Sequence, residues 1–234
     1  MKTCLPPIGS FEEGQVLFVG TNPRCDPSKN DEIFYRYALR SFDNFLQFSK
    51  DGKYKDLMGN ERFLFDDPHY NIHQACLATI SGSWKLGDRS SVAELFMCGS
   101  KDANVFYMGY NLYKKYDLAL YICAQEYLNR YIKLVKPKII VSYGWVAMQW
   151  FQVKFAEELR ENMSSLYNGV PRKYEGHSTR DTIEKLHGRF SQITFKGEHE
   201  STLILSLHPN ARNFKFKQEE LLKTFHFVAR SVGF

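Results

Sequence analysis

Apolar positions along the 234-residue chain follow two periods. Four short runs bounded by turn residues predict strands at Val16–Gly20, 72–80, 138–143 and 203–207. Between them, residues 32–48, 116–135, 145–161 and 218–232 place apolar side chains at helical spacing. Strand and helix alternate, the pattern of an α/β fold: a three-layer α/β/α sandwich around a central, mostly parallel four-stranded sheet. A further strand at 191–196 joins the 203–207 run through Gly197-Glu-His-Glu-Ser, a length suited to an antiparallel hairpin. Residues 50–69 and 164–189 are rich in Gly, Asn, Ser, Lys and Arg and lack periodicity, which predicts two long surface excursions. No repeat, low-complexity tract or linker interrupts the pattern, so a single domain over residues 1–234 is expected.

Composition narrows the class. An apolar fraction of 44% can build a core without a disulfide or metal staple. Cys4, Cys25, Cys76, Cys98 and Cys123 are odd in number and contain no C-x-x-C pair, which suits free thiols in a reducing compartment and offers no seat for an iron–sulfur cluster. The N-terminal segment lacks the apolar stretch of a signal peptide, and no apolar run is long enough to span a bilayer. An intracellular, cytoplasmic monomer is the expectation. The net charge of +5 fits a polyanion partner but does not require one.

Ligands in an open parallel sheet gather at the carboxyl ends of strands. Three predicted strands end in unusual polar sequence: Gly20-Thr-Asn-Pro-Arg, His73-Gln-Ala-Cys-Leu leading into Ser81-Gly-Ser-Trp, and His208-Pro-Asn-Ala-Arg-Asn.

The first of these, Val16-Leu-Phe-Val-Gly-Thr-Asn-Pro, resembles the Gly-x-Asn-Pro-Gly motif of the uracil-DNA glycosylase superfamily, in its mismatch-specific and single-strand-selective branches. The last, Leu207-His-Pro-Asn-Ala-Arg-Asn, is similar to the His-Pro-Ser-Pro-Arg-Asn motif of the single-strand-selective branch. The segment from Leu134 through Ser142-Tyr-Gly-Trp-Val-Ala looks like the third strand of that superfamily and its following helix. The resemblance runs from Val16 to Val232, with the two excursions unmatched. Three departures touch the motifs: Arg24 stands for a small residue, Gln74 for a base-reading asparagine, and Asn210-Ala211 for Ser-Pro.

The resemblance implies a monofunctional DNA glycosylase that needs neither cofactor nor metal and removes a flipped uracil or related deaminated base, with DNA as partner. Asn22 would place the attacking water, and His208 would donate to the base carbonyl as negative charge develops there. Gly20, Thr21, Pro23, Phe34 and Gln74 would contact the base; Arg24, Asn210, Arg212, Asn213 and Lys215 would contact DNA, Arg212 as a wedge into the duplex. No lysine sits in either motif to form a Schiff base.

Each assignment has a plainer counterpart. Asn22-Pro23 starts ordinary turns, His208 caps one, and Gln74 is a half-buried strand residue. Phe34 belongs to the core, while Phe214 and Phe216 anchor the last helix. At the level of the whole chain, the alternatives are a nucleic-acid-binding protein that keeps the glycosylase fold without its activity, and an unrelated α/β enzyme. The other histidines, His69, His73, His177, His187, His199 and His226, show no metal-ligand spacing.

Overall fold

A computed structural model of the chain describes residues 7–20, 41–95, 121–155, 157–159, 184–195 and 198–234. The described strands, numbered in chain order, are β1 (Ile8–Gly9), β2 (Val16–Gly20), β3 (Lys53–Lys55), β4 (Glu61–Phe63), β5 (Ser90–Glu94), β6 (Ile139–Tyr143), β7 (Phe190–Phe195) and β8 (His199–Ser206). Six of them form one sheet in the order β1-β5-β2-β6-β8-β7. The inner four, β5, β2, β6 and β8, are mutually parallel, and β1 and β7 close the edges antiparallel. β2, β6 and the 203–205 stretch of β8 are largely apolar because parallel strands are buried on both faces.

Helices cover both faces. On one side Phe18, Val92, Val141 and Ile204 meet α1 (Phe42–Asp51), α2 (Asn71–Ala78) and α5 (Phe214–Ser231) through Phe48, Cys76, Leu77, Leu221, Phe225 and Val228. On the other, Leu17, Val19, Ile140 and Leu205 meet α3 (Asn129–Val135) and α4 (Trp145–Lys154) through Ile132, Val135, Met148 and Phe151. The α/β class therefore stands, with a sheet of six strands where four were expected.

The largest correction concerns residues 72–80. The run was expected to be a strand, yet its buried members Ile72, His73, Cys76 and Leu77 lie one helical turn apart and form the inner face of α2. A signal for that helix lies upstream, where the Asp67 side chain accepts the His69 N–H (2.8 Å) and Pro68 opens the 3₁₀ turn Pro68–Tyr70 that leads into α2. The place of the missing strand beside β2 is taken by β5. The expected excursion at 50–69 also holds regular structure, the β3–β4 hairpin and a 3₁₀ turn at Leu64–Asp66.

The helix expected at 32–48 is described only from Phe42, as α1, after an extended Ser41, and residues 32–40 lie outside the described residues. Ser41 caps α1 by accepting the Asn44 N–H (3.1 Å), and Gly52 ends it at φ 71° with its N–H on the Phe48 carbonyl. The predicted 116–135 helix is described from Tyr121, as a π-helical stretch Tyr121–Leu128 that continues into α3. The predicted 145–161 helix is α4 only as far as Lys154, since Phe155 leaves helical geometry at φ −120°, and the predicted 218–232 helix is α5, starting four residues earlier at Phe214.

Phe18 couples the sheet to the helices above it. It has no solvent exposure, and its ring lies 4.7 Å from His73 of α2 and 6.3 Å from Phe225 of α5. Phe18→Ala is expected to lower stability by about 3 to 5 kcal/mol in urea denaturation; a loss below about 1 kcal/mol would show that this contact does not hold the layers together.

Candidate active site

The carboxyl ends of the parallel strands are level. Gly20 pairs with Glu94, Val19 with Ser142 and Tyr143 with Ser206, so β5, β2, β6 and β8 finish along one edge. The chain leaves β2 to build β5 on one side and β6 on the other, which makes the end of β2 the topological switch point of the sheet. By strand alternation, Gly20, Glu94, Tyr143 and Ser206 share the face of Phe18 and Val141, under α2 and the 3₁₀ turn before it.

Glu94 lies across the end of β2. A Cβ at residue 20 would fall 2.8 Å from Glu94 Oε1 and 2.9 Å from Cδ, so only glycine leaves room for the carboxyl group. Its Oε2 is sealed from solvent and has no hydrogen-bond partner among the described residues. Burial pushes the carboxyl up from the usual carboxylate range to about 8. Its charge, when present, is felt by the buried Tyr70 hydroxyl.

A wall of aromatic and imidazole rings continues from Tyr70. Centroid separations are 5.4 Å from Tyr70 to His73, 4.8 Å from His73 to Tyr143, 6.1 Å from His73 to His69 and 5.3 Å from His69 to His208. Among the described residues no group of His, Cys, Asp or Glu is placed to hold a metal ion. Burial lowers the pKa of His69, His73 and His208, and mutual repulsion among these rings lowers those of His73 and His208 further. His208 falls to about 4. At neutral pH this wall therefore carries no formal charge.

His208 sits in the turn that links β8 to α5. The Asn210 N–H donates to its Nδ1 (3.2 Å), which leaves the proton of the neutral ring on Nε2. The turn is locked from below by His187, a fully buried imidazole. Its Nδ1 accepts the Leu207 N–H (3.0 Å), and its Nε2–H donates to the Lys217 carbonyl (2.8 Å), so one ring ties the end of β8 to the first turn of α5. Glu184 adds two ties to α5 and its cap, accepting Asn213 Nδ2 at its carboxylate (2.7 Å) and Lys217 Nζ at its carbonyl (2.9 Å).

Not every residue expected at the site reaches it. Gln74 donates from Nε2 to the Trp84 carbonyl (2.7 Å) and accepts the Leu86 N–H at Oε1 (2.9 Å). Both ends of its amide thus hold the 84–86 loop against α2, with one hydrogen bond at each. Asn213 likewise turns its amide to Glu184 and starts α5, where contact with DNA was expected. Arg212 and Lys215 are exposed, and Asn210 lends its backbone to His208 while its side chain neighbours His69. Phe214 is buried as an anchor, whereas Phe216 is 85% exposed. Thr21, Asn22, Pro23, Arg24 and Phe34 lie outside the described residues.

Comparison with protein-family models and with curated proteins finds no match to this chain. The residues that sequence reasoning passed over are Glu94, His69, Tyr70, His73 and His187. The spacing of His69 and His73, four residues apart after Asp67-Pro68, was a usable signal for two rings on one side of a helix start. Glu94 had no such signal because β5 itself was not foreseen.

The electrostatics set the pH dependence of stability. His69, His73, His187, His199 and His208 all titrate below their ordinary value near 6.5 in the folded protein. The unfolded chain then binds more protons, so stability is lost as pH falls below about 6.5. Glu94 acts oppositely: its folded value lies above the usual 4.5, and the stability this contributes is lost as pH rises from there through about 8. Lys154, lowered by burial to about 8, acts in the same sense as the histidines, so with five histidines and this lysine against one carboxyl the urea midpoint is expected to rise from pH 5 to about pH 7 and to level off between pH 7 and 8. A midpoint that rises from pH 6.5 to pH 5 would contradict the assignment.

Proposed function

We propose that the protein is a monofunctional DNA glycosylase that hydrolyses the N-glycosidic bond of a flipped uracil or related deaminated base without a cofactor. The observation that carries this reading is His208, a neutral imidazole with its proton on Nε2, fixed at the carboxyl edge of the sheet. Support comes also from the four parallel strands, the arrangement that the resemblance implies, and from the level strand ends beside it.

When the bond from the sugar to the base breaks, electrons move onto the base and the sugar gains oxocarbenium character. A preorganised N–H donor at the base carbonyl opposes that charge build-up at no reorganisation cost, worth about 3 kcal/mol or roughly two orders of magnitude in rate. His208 supplies such a donor, and its neutrality lets it donate without releasing a proton. Asn22 would hold the attacking water through its side-chain carbonyl; an amide is a poor base, so the contribution is positioning. Arg212 and Lys215 form an exposed basic rim beside His208, and Phe216 adds an exposed aromatic surface between Lys215 and Lys217.

A second reading, DNA binding without base release, is favoured by one observation, the engagement of Gln74 with the 84–86 loop. Incubation with labelled oligonucleotides carrying uracil, hypoxanthine or xanthine separates the two. Alkali-labile abasic sites are expected from the native protein, with His208→Ala slowing their formation about a hundredfold and Asn22→Ala abolishing most of the remainder. DNA binding with no abasic sites from any substrate would establish the second reading instead. Arg212→Ala combined with Lys215→Ala is expected to weaken DNA binding and to shallow its salt dependence by about two ions, measured by anisotropy over a salt series; an unchanged slope would place the phosphate contacts elsewhere.

A further inference from the structure

We infer that Glu94 is the residue that contacts the polar edge of the bound base, through a paired donor and acceptor on its carboxyl group. The inference rests on the glycosylase reading and names the specificity contact within that site.

Three independent features of the geometry lead to it. The carboxyl group stands at the switch point of the sheet, beside the end of β2 from which the Asn22 segment departs. The glycine at position 20 leaves it the space it occupies, since a Cβ there would collide with both of its oxygens. Yet Oε2, though sealed from solvent, bonds to nothing among the described residues. A buried oxygen with no partner weakens a fold, and here no structural bond offsets it. Gln74 is the contrast: a half-buried polar side chain whose two ends are both satisfied.

The surroundings select the chemistry of the ligand. Tyr70, on the 3₁₀ turn, is near enough to feel the carboxyl's charge; its ring neighbours His73 on α2, which neighbours His69 and Tyr143, and all are uncharged at neutral pH. No charged side chain among the described residues shifts Glu94, and burial alone keeps it protonated below about pH 8. A protonated carboxyl presents one O–H donor next to one carbonyl acceptor. That pair complements a lactam edge, a ring N–H beside a carbonyl, as carried by uracil, hypoxanthine and xanthine. An uncharged heterocycle with a polar edge fits such a wall, which carries no cation among the described residues to pair with an anionic ligand.

The test measures binding of free uracil and free hypoxanthine by titration calorimetry between pH 6.5 and 9, alongside base release from oligonucleotides, for the native protein, Glu94→Gln and Glu94→Leu. Native binding is expected to weaken about tenfold per pH unit above pH 8 as the donor ionises. Glu94→Gln keeps a donor and an acceptor without titrating, so it should bind within a few-fold of native and lose the alkaline decline. Glu94→Leu should lose at least tenfold in affinity while melting no lower than the native protein. Native-like binding by Glu94→Leu, or an alkaline decline that persists in Glu94→Gln, would overturn the inference. Base binding that depends on Glu94 without base release from any oligonucleotide would sink the glycosylase reading and leave the contact standing. Base release indifferent to Glu94 would do the reverse, and neither binding nor release would overturn both.

Discussion

The absence of a side chain at Gly20 makes room for the Glu94 carboxyl at the carboxyl edge of the sheet. It lets the Glu94 carboxyl lie across the end of β2, near enough for its charge to be felt by Tyr70. Any larger residue at position 20 would push Glu94 outward, toward water, where it would be an ordinary ionised carboxylate. That close approach goes with a buried carboxyl, and burial holds its proton.

Desolvation then acts on every titratable group nearby in the same sense, toward neutrality. It raises Glu94 and lowers His69, His73 and His208, so the acid keeps its proton and the imidazoles lose theirs. The resulting surface is polar without being charged. A neutral donor held rigidly is a better match for charge that appears only during bond cleavage than an ion that is already solvated or paired. Rigidity comes from His187, which is buried, remote from solvent, and bonded at both ring nitrogens to backbone on either side of the His208 turn. It acts through His208 and is a positioning residue.

Sequence alone made β2, β6 and the 203–205 part of β8 legible, because each carries an unbroken apolar run of the kind that strands buried on two faces commonly show. The antiparallel partner β7 was legible from alternation, and α5 from helical spacing. β5 was not, because Ser90 and Ser91 look like surface residues. Both are fully buried, and Ser90 Oγ is satisfied by the Gly87 N–H (3.1 Å), a contact that exists only once the chain has folded. Missing β5 had a second consequence: the vacancy in the sheet was filled by residues 72–80, and the hold of Gln74 on the 84–86 loop went unseen. His208 and Gly20 were legible from their position after strands, while Glu94 became visible only with the correct strand order.

The claim on which the account turns is that His208 is a neutral ring with its proton on Nε2. Long-range proton–nitrogen correlation spectra of the histidine rings test it directly, with His208→Gln used to assign the signal. The account predicts an unprotonated Nδ1 and a protonated Nε2 that persist from pH 8 down to about 5.5. A proton on Nδ1, or a ring that titrates near pH 6.5, would contradict it.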